Sequence, residues 1–485
     1  MRMIDRWFPC EAVSEASHQP YGSGRTEKAL FTWFAARPIA QARAAVLTTL
    51  LPWPTDNKEQ RRLQIMVEQA IKGDINALAS AAEEIRREHP DGARVLDVFS
   101  GRAIIPLEAI RAGAEAWGID YSPVATLAGM LLADFPFQNW SNEPSLSFNS
   151  PVASEPMSFQ GGEGKEKLVS DVRVLLAEIG RRHEQAMDDF YPKNTQGDRP
   201  WGYLWAQTMP CDECKHYFPM VGSAILRVPN LNTGDPGTSF SFVADRGSGQ
   251  FEVVIHEGTD SGKQTLFSMG NRGKVARCPF CDHPHIPEII KAKSKTGLLR
   301  DKLLIVADLD PVVGVEYRLP TPEDHGAVHR AEEALTTEKP FLSGIPAVPN
   351  EPLPPNNYPI DAAMYGVRTF GGLCCDRQTL SFVRLCRVIS DLQMELQAAG
   401  FSDNYTRALL GYAGAVVIRK LRYSTRGATL RPANKQVDHI FKNQANLTYG
   451  MDYFERCCWR TPITGFERVK LRVITHATAL SGGLH

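Results

Sequence analysis

Apolar and polar positions alternate with helical spacing at the start of the chain. Pro38 to Leu51 forms an amphipathic helix behind "LFTWFAARP", and residues 58 to 88 read as a charged helix pair ending before "HPDG". The pattern then changes. Arg94 to Phe99 has the apolar character of a buried strand, Ser100-Gly101 breaks it, Ile104 to Arg111 is helical, and Ala116 to Ile119 is a second short strand closing on Asp120. A strand, tight turn, helix and strand with a carboxylate at the end of each strand is a unit suited to cradle a small ligand.

Beyond Trp140 the stretch "SNEPSLSFNSPVASEPMSFQGGEGKEK" is rich in Ser, Pro, Gly and Glu and reads as a loop, followed by the helical spacing of "EKLVSDVRVLLAEIGRRHEQAM". Residues 201 to 320 look strand-rich, with "SAILRVP", "SFSFVAD" and "FEVVIHEG" set between Gly-rich turns. A Pro-rich linker, "IPAVPNEPLPPNNYPID", precedes a helical part from Asp376 to Arg422, and no internal repeat is present. The predicted order is entry helices and cradle at 1–140, loop and helix at 141–200, and a strand-rich insertion at 201–325. A Pro-rich linker at 326–360 and a helical, partly basic region at 361–485 complete it.

Composition narrows the class. A chain of 485 residues with 43% hydrophobic and 22% charged positions has enough apolar material for several soluble domains. A net charge of −1 means that any nucleic-acid contact must come from a local basic surface. No apolar run approaches the roughly 20 residues that span a bilayer, and the opening "MRMIDRWFPCEAVSE" has no signal core, so a cytoplasmic location is expected.

The cradle's chemistry follows from its turn. A dinucleotide fingerprint requires Gly-x-Gly-x-x-Gly, whereas "FSGRAI" offers only Gly101. S-adenosylmethionine brings no phosphate, and methyltransferases use a sparser Asp-x-Phe-x-Gly-x-Gly turn, matched here by Asp97, Phe99 and Gly101 with Ala103 at the last glycine. A carboxylate at Asp97 offsets the cationic ammonium and sulfonium, Gly101 lets the backbone pass close to the adenosine with Phe99 and Ser100 beside it in the cofactor-binding turn, and Asp120 is placed to accept both ribose hydroxyls. The plainer alternative is an ordinary strand-turn-helix in which Asp97 caps the helix.

Ten cysteines include two Cys-x-x-Cys pairs, Cys211 with Cys214 in "MPCDECKHYF" and Cys278 with Cys281 in "ARCPFCDHPH". Two such knuckles are the signature of a tetrahedral structural zinc, here stapling the base of the strand-rich insertion. Two unrelated reduced pairs are the alternative. His216, His283 and His285 then rank as surface or supporting groups, and Cys10, Cys374, Cys386 and Cys457 as inert or buried thiols.

The order of these parts resembles the adenine-specific DNA methylase family that carries a zinc ribbon and opens with a domain of unknown function. "DRWFPCEAVSEAS" and "LFTWFAARPIAQARAAVLTTLLP" are similar to that family's Trp-x-Ala-Arg-Arg-Pro-Leu entry segment. "DVFSGRAIIPLEAIRAGAEAWGIDYSPVA" is similar to its Asp-Pro-Phe-Ala-Gly-Gly-Gly-Ser-Ile-Pro-Leu-Glu-Ala stretch, and "GVEYRLPTPED" and "MYGVRTFGGLCCDRQTLSFVRL" also look like family segments. The resemblance implies an α/β protein with a Rossmann-like class I methyltransferase sheet, an inserted zinc-ribbon domain and a helical C-terminal part. It also implies S-adenosylmethionine and structural zinc as cofactors, DNA adenine as substrate, and a restriction or anti-phage setting. Trp33, Arg37, Pro38 and Arg43 fall in the segment that closes over the cofactor's methionine end, where Arg37 is placed to pair the carboxylate.

Two departures stand out. Val98 and Ala103 replace a proline and a glycine, and the family's catalytic Asp/Asn-Pro-Pro-Tyr turn is absent: "LPPNNYP" lacks the acid or amide, and "DLDPVVG" has one proline. That turn accepts from adenine's weakly nucleophilic amine and stacks on the flipped base, so a second polypeptide or a C-terminal extension is expected to supply it. No catalytic residue is assigned within this chain. For DNA, "VIRKLRYSTRGATLRPANK" offers Arg419, Lys420, Arg422, Tyr423 and Arg426, plus Arg431 and Lys435, with "KAKSKTGLLRDK" as a weaker second candidate. A solvated helix end is the bland alternative. A zinc-ribbon nucleic-acid adaptor with a vestigial methyltransferase fold, or a methyltransferase acting on RNA or protein, are the other functional readings.

Overall fold

A computed structural model describes residues 1–18, 33, 37–148, 163–260, 266–270, 273–310, 314–341, 344–354, 361–434, 436–441 and 447–457. They are mixed α/β and fall into two compact units. The first comprises residues 1–178 with 391–416; the second comprises 179–390 with the described residues from Val417 on. Among the described residues no helix is long and apolar enough to cross a membrane.

The first unit opens with α1 (Cys10–Ser17), α2 (Ile39–Leu50), α3 (Asn57–Lys72) and α4 (Ile75–Glu88). The boundaries are set by side chains. Asp56 accepts from the Glu59 amide at the start of α3, Gly73 ends that helix at φ +103°, and Asp74 accepts from the Asn76 and Ala77 amides to start α4. Leu47, Leu63, Val67, Leu78 and Ile85 fill the shared core. Then come β1 (Arg94–Asp97), α5 (Ile104–Arg111), β2 (Glu115–Gly118) and α6 (Pro123–Ala133). The strands pair in parallel, Val95 beside Ala116 and Leu96 beside Trp117, so the predicted unit is present with each strand a residue or two displaced. Of the doubly covered parallel sheet expected from the sequence, the described residues hold these two strands.

Next follow α7 (Glu163–Ala186), β3 (Gly202–Pro210), β4 (Tyr217–Pro219), β5 (Ile225–Arg227), β6 (Thr238–Asp245), β7 (Gln250–Glu257), β8 (Phe267–Gly270), β9 (Gly273–Arg277), β10 (Pro284–His285) and α8 (Pro287–Lys295). The remainder comprises β11 (Arg300–Asp310), β12 (Gly314–Arg318), α9 (Pro322–Thr336), α10 (Asp361–Met364), α11 (Asp376–Ala398), α12 (Asp403–Leu421), β13 (Leu430–Arg431), β14 (Gln436–Val437) and β15 (Asp452–Arg456). The main sheet of the second unit is antiparallel in the order β12-β11-β3-β15, with β4 also on β3. Smaller sheets, β5-β6-β7 and β10-β9-β8, complete the strand-rich region.

Three boundaries are corrected. The region 201–325 is not a self-contained insertion, because β15, from the region expected to be helical, supplies an edge of its sheet. Glu455 on β15 anchors it. Its carboxylate accepts from Arg377 Nε at 3.0 Å and Nη2 at 2.6 Å, from Tyr191 Oη and from Trp205 Nε1, while the guanidinium lies 4.1 Å from the Tyr203 ring centre. A buried charge persists only when satisfied in this way. The expected linker at 326–360 starts inside α9, whose N-terminus is fixed by a capping box between Thr321 and Asp324. The expected loop "SNEPSLSFNSPVASEPMSFQGGEGKEK" ends at Glu163, where α7 begins, and its residues 149–162 lie outside the described residues.

Candidate cofactor cradle and candidate metal centre

Asp97 closes β1 and Asp120 follows β2, so two carboxylates stand side by side at the carboxyl ends of adjacent parallel strands. The turn between β1 and α5 is knitted to that edge: Ser100 N–H donates to the Ile119 carbonyl at 2.9 Å, and Ile119 N–H to the Asp97 carbonyl at 2.9 Å. Gly101, at φ +54°, donates to Asp120 Oδ2 at 2.8 Å, and Ser122 N–H donates to Oδ1 at 2.9 Å. Asp97 Oδ1 accepts from the Phe99 amide at 3.1 Å. The acids therefore shape the turn as well as flank it. Each carboxylate oxygen carries two lone pairs, so one acceptor site per oxygen remains for a ligand.

Trp33 lies over this turn, its Nε1 3.5 Å from where a side chain on Gly101 would begin. Arg37 is exposed, and the Phe99 ring is 89% exposed rather than folded over the turn. Ala103 adopts φ +59°, ψ +40°, the left-handed conformation that a glycine takes freely, and a side chain on Gly129 would meet its methyl at 3.1 Å. The missing glycine is thus accommodated by a strained alanine backed by a glycine from α6.

Sequence reasoning passed over Glu108, treating it as a first-turn acid. It is fully buried, accepting from Arg43 Nε and Arg111 Nη1 at 2.5 Å each, while Arg43 Nη1 reaches the Ala70 carbonyl. Burial pushes the Glu108 carboxyl up, but the two guanidinium groups outweigh it and hold it below the usual range. This triad ties α2 and α3 to the helix behind the cradle. Its signal was available: Ile104, Leu107, Glu108 and Arg111 share the i, i+3, i+4, i+7 stripe that faces the core.

In the second unit, all four predicted cysteines meet. Cys211, Cys214, Cys278 and Cys281 place their sulfurs within 4.8 Å of one another, with Cys211 to Cys281 at 3.5 Å and Cys214 to Cys278 at 3.6 Å. Four thiolates about 2.3 Å from a tetrahedral zinc would stand about 3.8 Å apart, so the cluster fits such an ion. The two knuckles repeat one turn. Cys211 N–H donates to the His216 carbonyl and Lys215 N–H returns to Cys211, while Cys278 N–H donates to His283 and Asp282 N–H returns to Cys278. Lys215 and Asp282, each just after its second cysteine, share a left-handed φ, +66° and +64°. Burial pushes the Cys211 and Cys278 thiols up, against amide donors from Glu213, Cys214, Phe280 and Cys281 that favour thiolate. Burial also raises Cys281, but the His283 amide and neighbouring thiols outweigh it and lower that group. The arrangement can hold a metal ion such as zinc in a closed four-sulfur shell.

His285, expected as a surface or supporting group, is buried. It stacks on Phe218 with ring centres 5.4 Å apart, and its Nδ1 lies 3.4 Å from Asp212, which Lys293 also pairs at 2.6 Å. Burial lowers its pKa. Of the remaining cysteines, Cys374, Cys375 and Cys457 are buried, Cys386 is partly buried and Cys10 is exposed.

The basic run is partly internal. Arg426 is an internal tie, donating to Asp301 Oδ2 at 2.5 Å and to the carbonyls of Gly372 and Cys374 at 2.7 Å each. Lys420 is 6% exposed with its ammonium 5.5 Å from the Phe382 ring centre. Arg419 is half-buried, and that burial lowers its pKa. Arg422 lies 5.7 Å from the Tyr423 ring centre, and Tyr423 meets His439 edge-on. Arg431 is paired with Asp438, and Lys435 lies outside the described residues. Within this run Lys420 and Arg426 are engaged in internal contacts, while Arg422 and Tyr423 are half-buried and Arg431 is exposed. The second candidate keeps exposed cations at Lys295, Arg300 and Lys302.

Residues 7–71 match a family described as a protein of unknown function (DUF1156). That span covers α1, α2 and nearly all of α3, including Arg43 of the buried triad. No curated protein and no solved structure matches the chain.

Proposed function

We propose that this chain is the cofactor-binding part of an S-adenosylmethionine-dependent DNA adenine methyltransferase, with a structural zinc in the four-cysteine centre. One observation carries the reading: Asp97 and Asp120 flank the Gly101 turn at the carboxyl ends of two adjacent parallel strands, the place where open α/β sheets hold ligands. Asp97 would face the cofactor's cationic end, the free acceptor sites of Asp120 would take the ribose hydroxyls, and Trp33 would cover the turn. The bound cofactor supplies an electrophilic methyl group. The chain's residues bind and orient it, while the acceptor turn that aligns adenine comes from a second polypeptide or further sequence. Phosphate contacts fall to Lys295, Arg300 and Lys302, the setting is restriction or anti-phage defence, and the location is cytoplasmic.

The alternative, a zinc-ribbon nucleic-acid adaptor with a vestigial cradle, draws on the Gly101 and Ser122 amides that already occupy both Asp120 oxygens. Calorimetry with S-adenosylmethionine separates the two. The methyltransferase reading expects binding that Asp120→Ala weakens by about 1–3 kcal/mol, the scale of a lost charge-assisted hydrogen bond. Absence of any binding heat, with DNA still retained, overturns it in favour of the adaptor.

A further inference from the structure

The β1–β2 ribbon has two unlike faces. Val95 and Ala116 point inward and pack on the core of the first unit. Among the described residues the opposite face is uncovered: Leu96 is 61% exposed, Val98 50%, Trp117 46% and Ile119 57%, and beyond the strand ends Phe99 and Tyr121 are wholly or nearly wholly exposed. Parallel strands are found almost only with both faces covered, and two strands alone are marginal in water. Leu96, Val98, Trp117 and Ile119, with Tyr121 past the end of β2, make a patch on the order of several hundred Å², the scale that marks an interface.

The pattern across the two strands says what covers it. Register sets Arg94 beside Glu115 and Leu96 beside Trp117, and alternation sets Val98 beside Ile119. Arg94 Nε lies 3.7 Å from Glu115 on an exposed rim. Each strand thus carries the complement of the other: cation against anion, aliphatic against aromatic, valine against isoleucine. A two-fold axis parallel to the strands would lay β1 of one molecule over β2 of another without reversing direction. Every row would then meet its opposite.

We propose that this face seats a second copy of the same chain across such an axis, with Arg94 against Glu115 of the second copy, Leu96 against its Trp117 and Val98 against its Ile119. The interface is isologous, as closed dimers require. Asp97 alternates onto the inner side of the ribbon and Asp120 is tied back to the Gly101 turn, so the dimer leaves both acids free. The inference stands whether or not the cradle binds a cofactor.

Sedimentation velocity of the full chain, across about 1–100 µM, tests it. A dimer is expected. Trp117→Lys should weaken it at least about 30-fold, the effect of removing a central aromatic anchor, with zinc content and far-UV circular dichroism unchanged. Arg94→Glu should weaken it several-fold by facing two acids across the seam, and Arg94→Glu with Glu115→Arg should restore it. A chain that stays monomeric throughout overturns the proposal and leaves the face to a different polypeptide. A dimer indifferent to Trp117→Lys overturns it too, and failure of the charge swap to rescue overturns the two-fold register.

Discussion

The two candidate sites differ in how much of their own surroundings they contain. The four-cysteine centre is closed: two copies of one knuckle bring four sulfurs together, and the supporting Asp212, Lys293 and His285 are all in the same unit. The cradle is open. Its acids shape the turn, and among the described residues its outer strand face is uncovered. A closed site is specified by short-range spacing. An open one is specified by what packs on it, and spacing within the motif does not encode that.

Metal removal should expose that difference most strongly. Chelation of the purified protein, or Cys278→Ser, should abolish stoichiometric zinc and remove hydrogen-exchange protection from β4, β8, β9 and α8, while α5 and β1 keep theirs. Structural zinc contributes on the order of 10 kcal/mol in isolated zinc-finger peptides, so the loss should be regional unfolding. Full zinc retention in Cys278→Ser would reject the four-sulfur shell.

The reverse test strikes the first unit. Glu108→Ala leaves Arg43 and Arg111 buried without their carboxylate and should cost about 3–5 kcal/mol, read by denaturant unfolding, with zinc content unchanged. A cost below about 1 kcal/mol would mean that water reaches the guanidinium groups and that the triad does not hold α2 against α5.

Sequence spacing made the metal centre legible because a Cys-x-x-Cys turn dictates its own geometry. The cradle's strand, turn and helix were legible for the same reason, down to the bounds of α5. What escaped were long-range partners. Lys420 and Arg426 look like a basic run until Phe382 and Asp301 arrive from distant segments. β15 reads as part of a helical region until Arg377 fixes Glu455 beneath β3. Glu108 looks like a helix-dipole acid until two arginines close on it. Apart from Arg111, three residues from Glu108 on the core-facing stripe of α5, the deciding groups lie dozens to hundreds of residues away, where periodicity carries no information.

Acid should separate the units again. His183 is buried against the Ser381 carbonyl, and burial, with the Lys420 charge, lowers its pKa from 6.5 to about 3. The folded state thus favours the neutral ring. Its stabilising contribution is complete above pH 6.5 and is lost as pH falls, by up to about 1.4 kcal/mol per pH unit, until the folded pKa is reached. Glu108, held below its ordinary 4.5, costs the first unit nothing until pH drops beneath that value. At pH 5.5 hydrogen exchange should therefore quicken in β3, α11 and β15 while α2, α3 and α5 hold. His183→Asn should flatten the pH dependence of the second unit between 6.5 and 4.5. Equal acid sensitivity in the two units would contradict the assignment.

The smallest effect probes whether the cradle's departure from its expected glycine is a defect or an adjustment. Ala103→Gly relieves a left-handed alanine, worth about 1–2 kcal/mol. It also removes a buried methyl worth about 0.8 kcal/mol and adds unfolded-state freedom of about 0.5–1 kcal/mol. These terms nearly cancel, so stability should move by no more than about 0.8 kcal/mol. Ala103→Val has no such balance. A branched side chain in the left-handed region, pressed toward Gly129, should cost at least about 2 kcal/mol. If Ala103→Gly instead stabilised by well over 1 kcal/mol, the methyl would be strain without packing, and Gly129 would not be its seat.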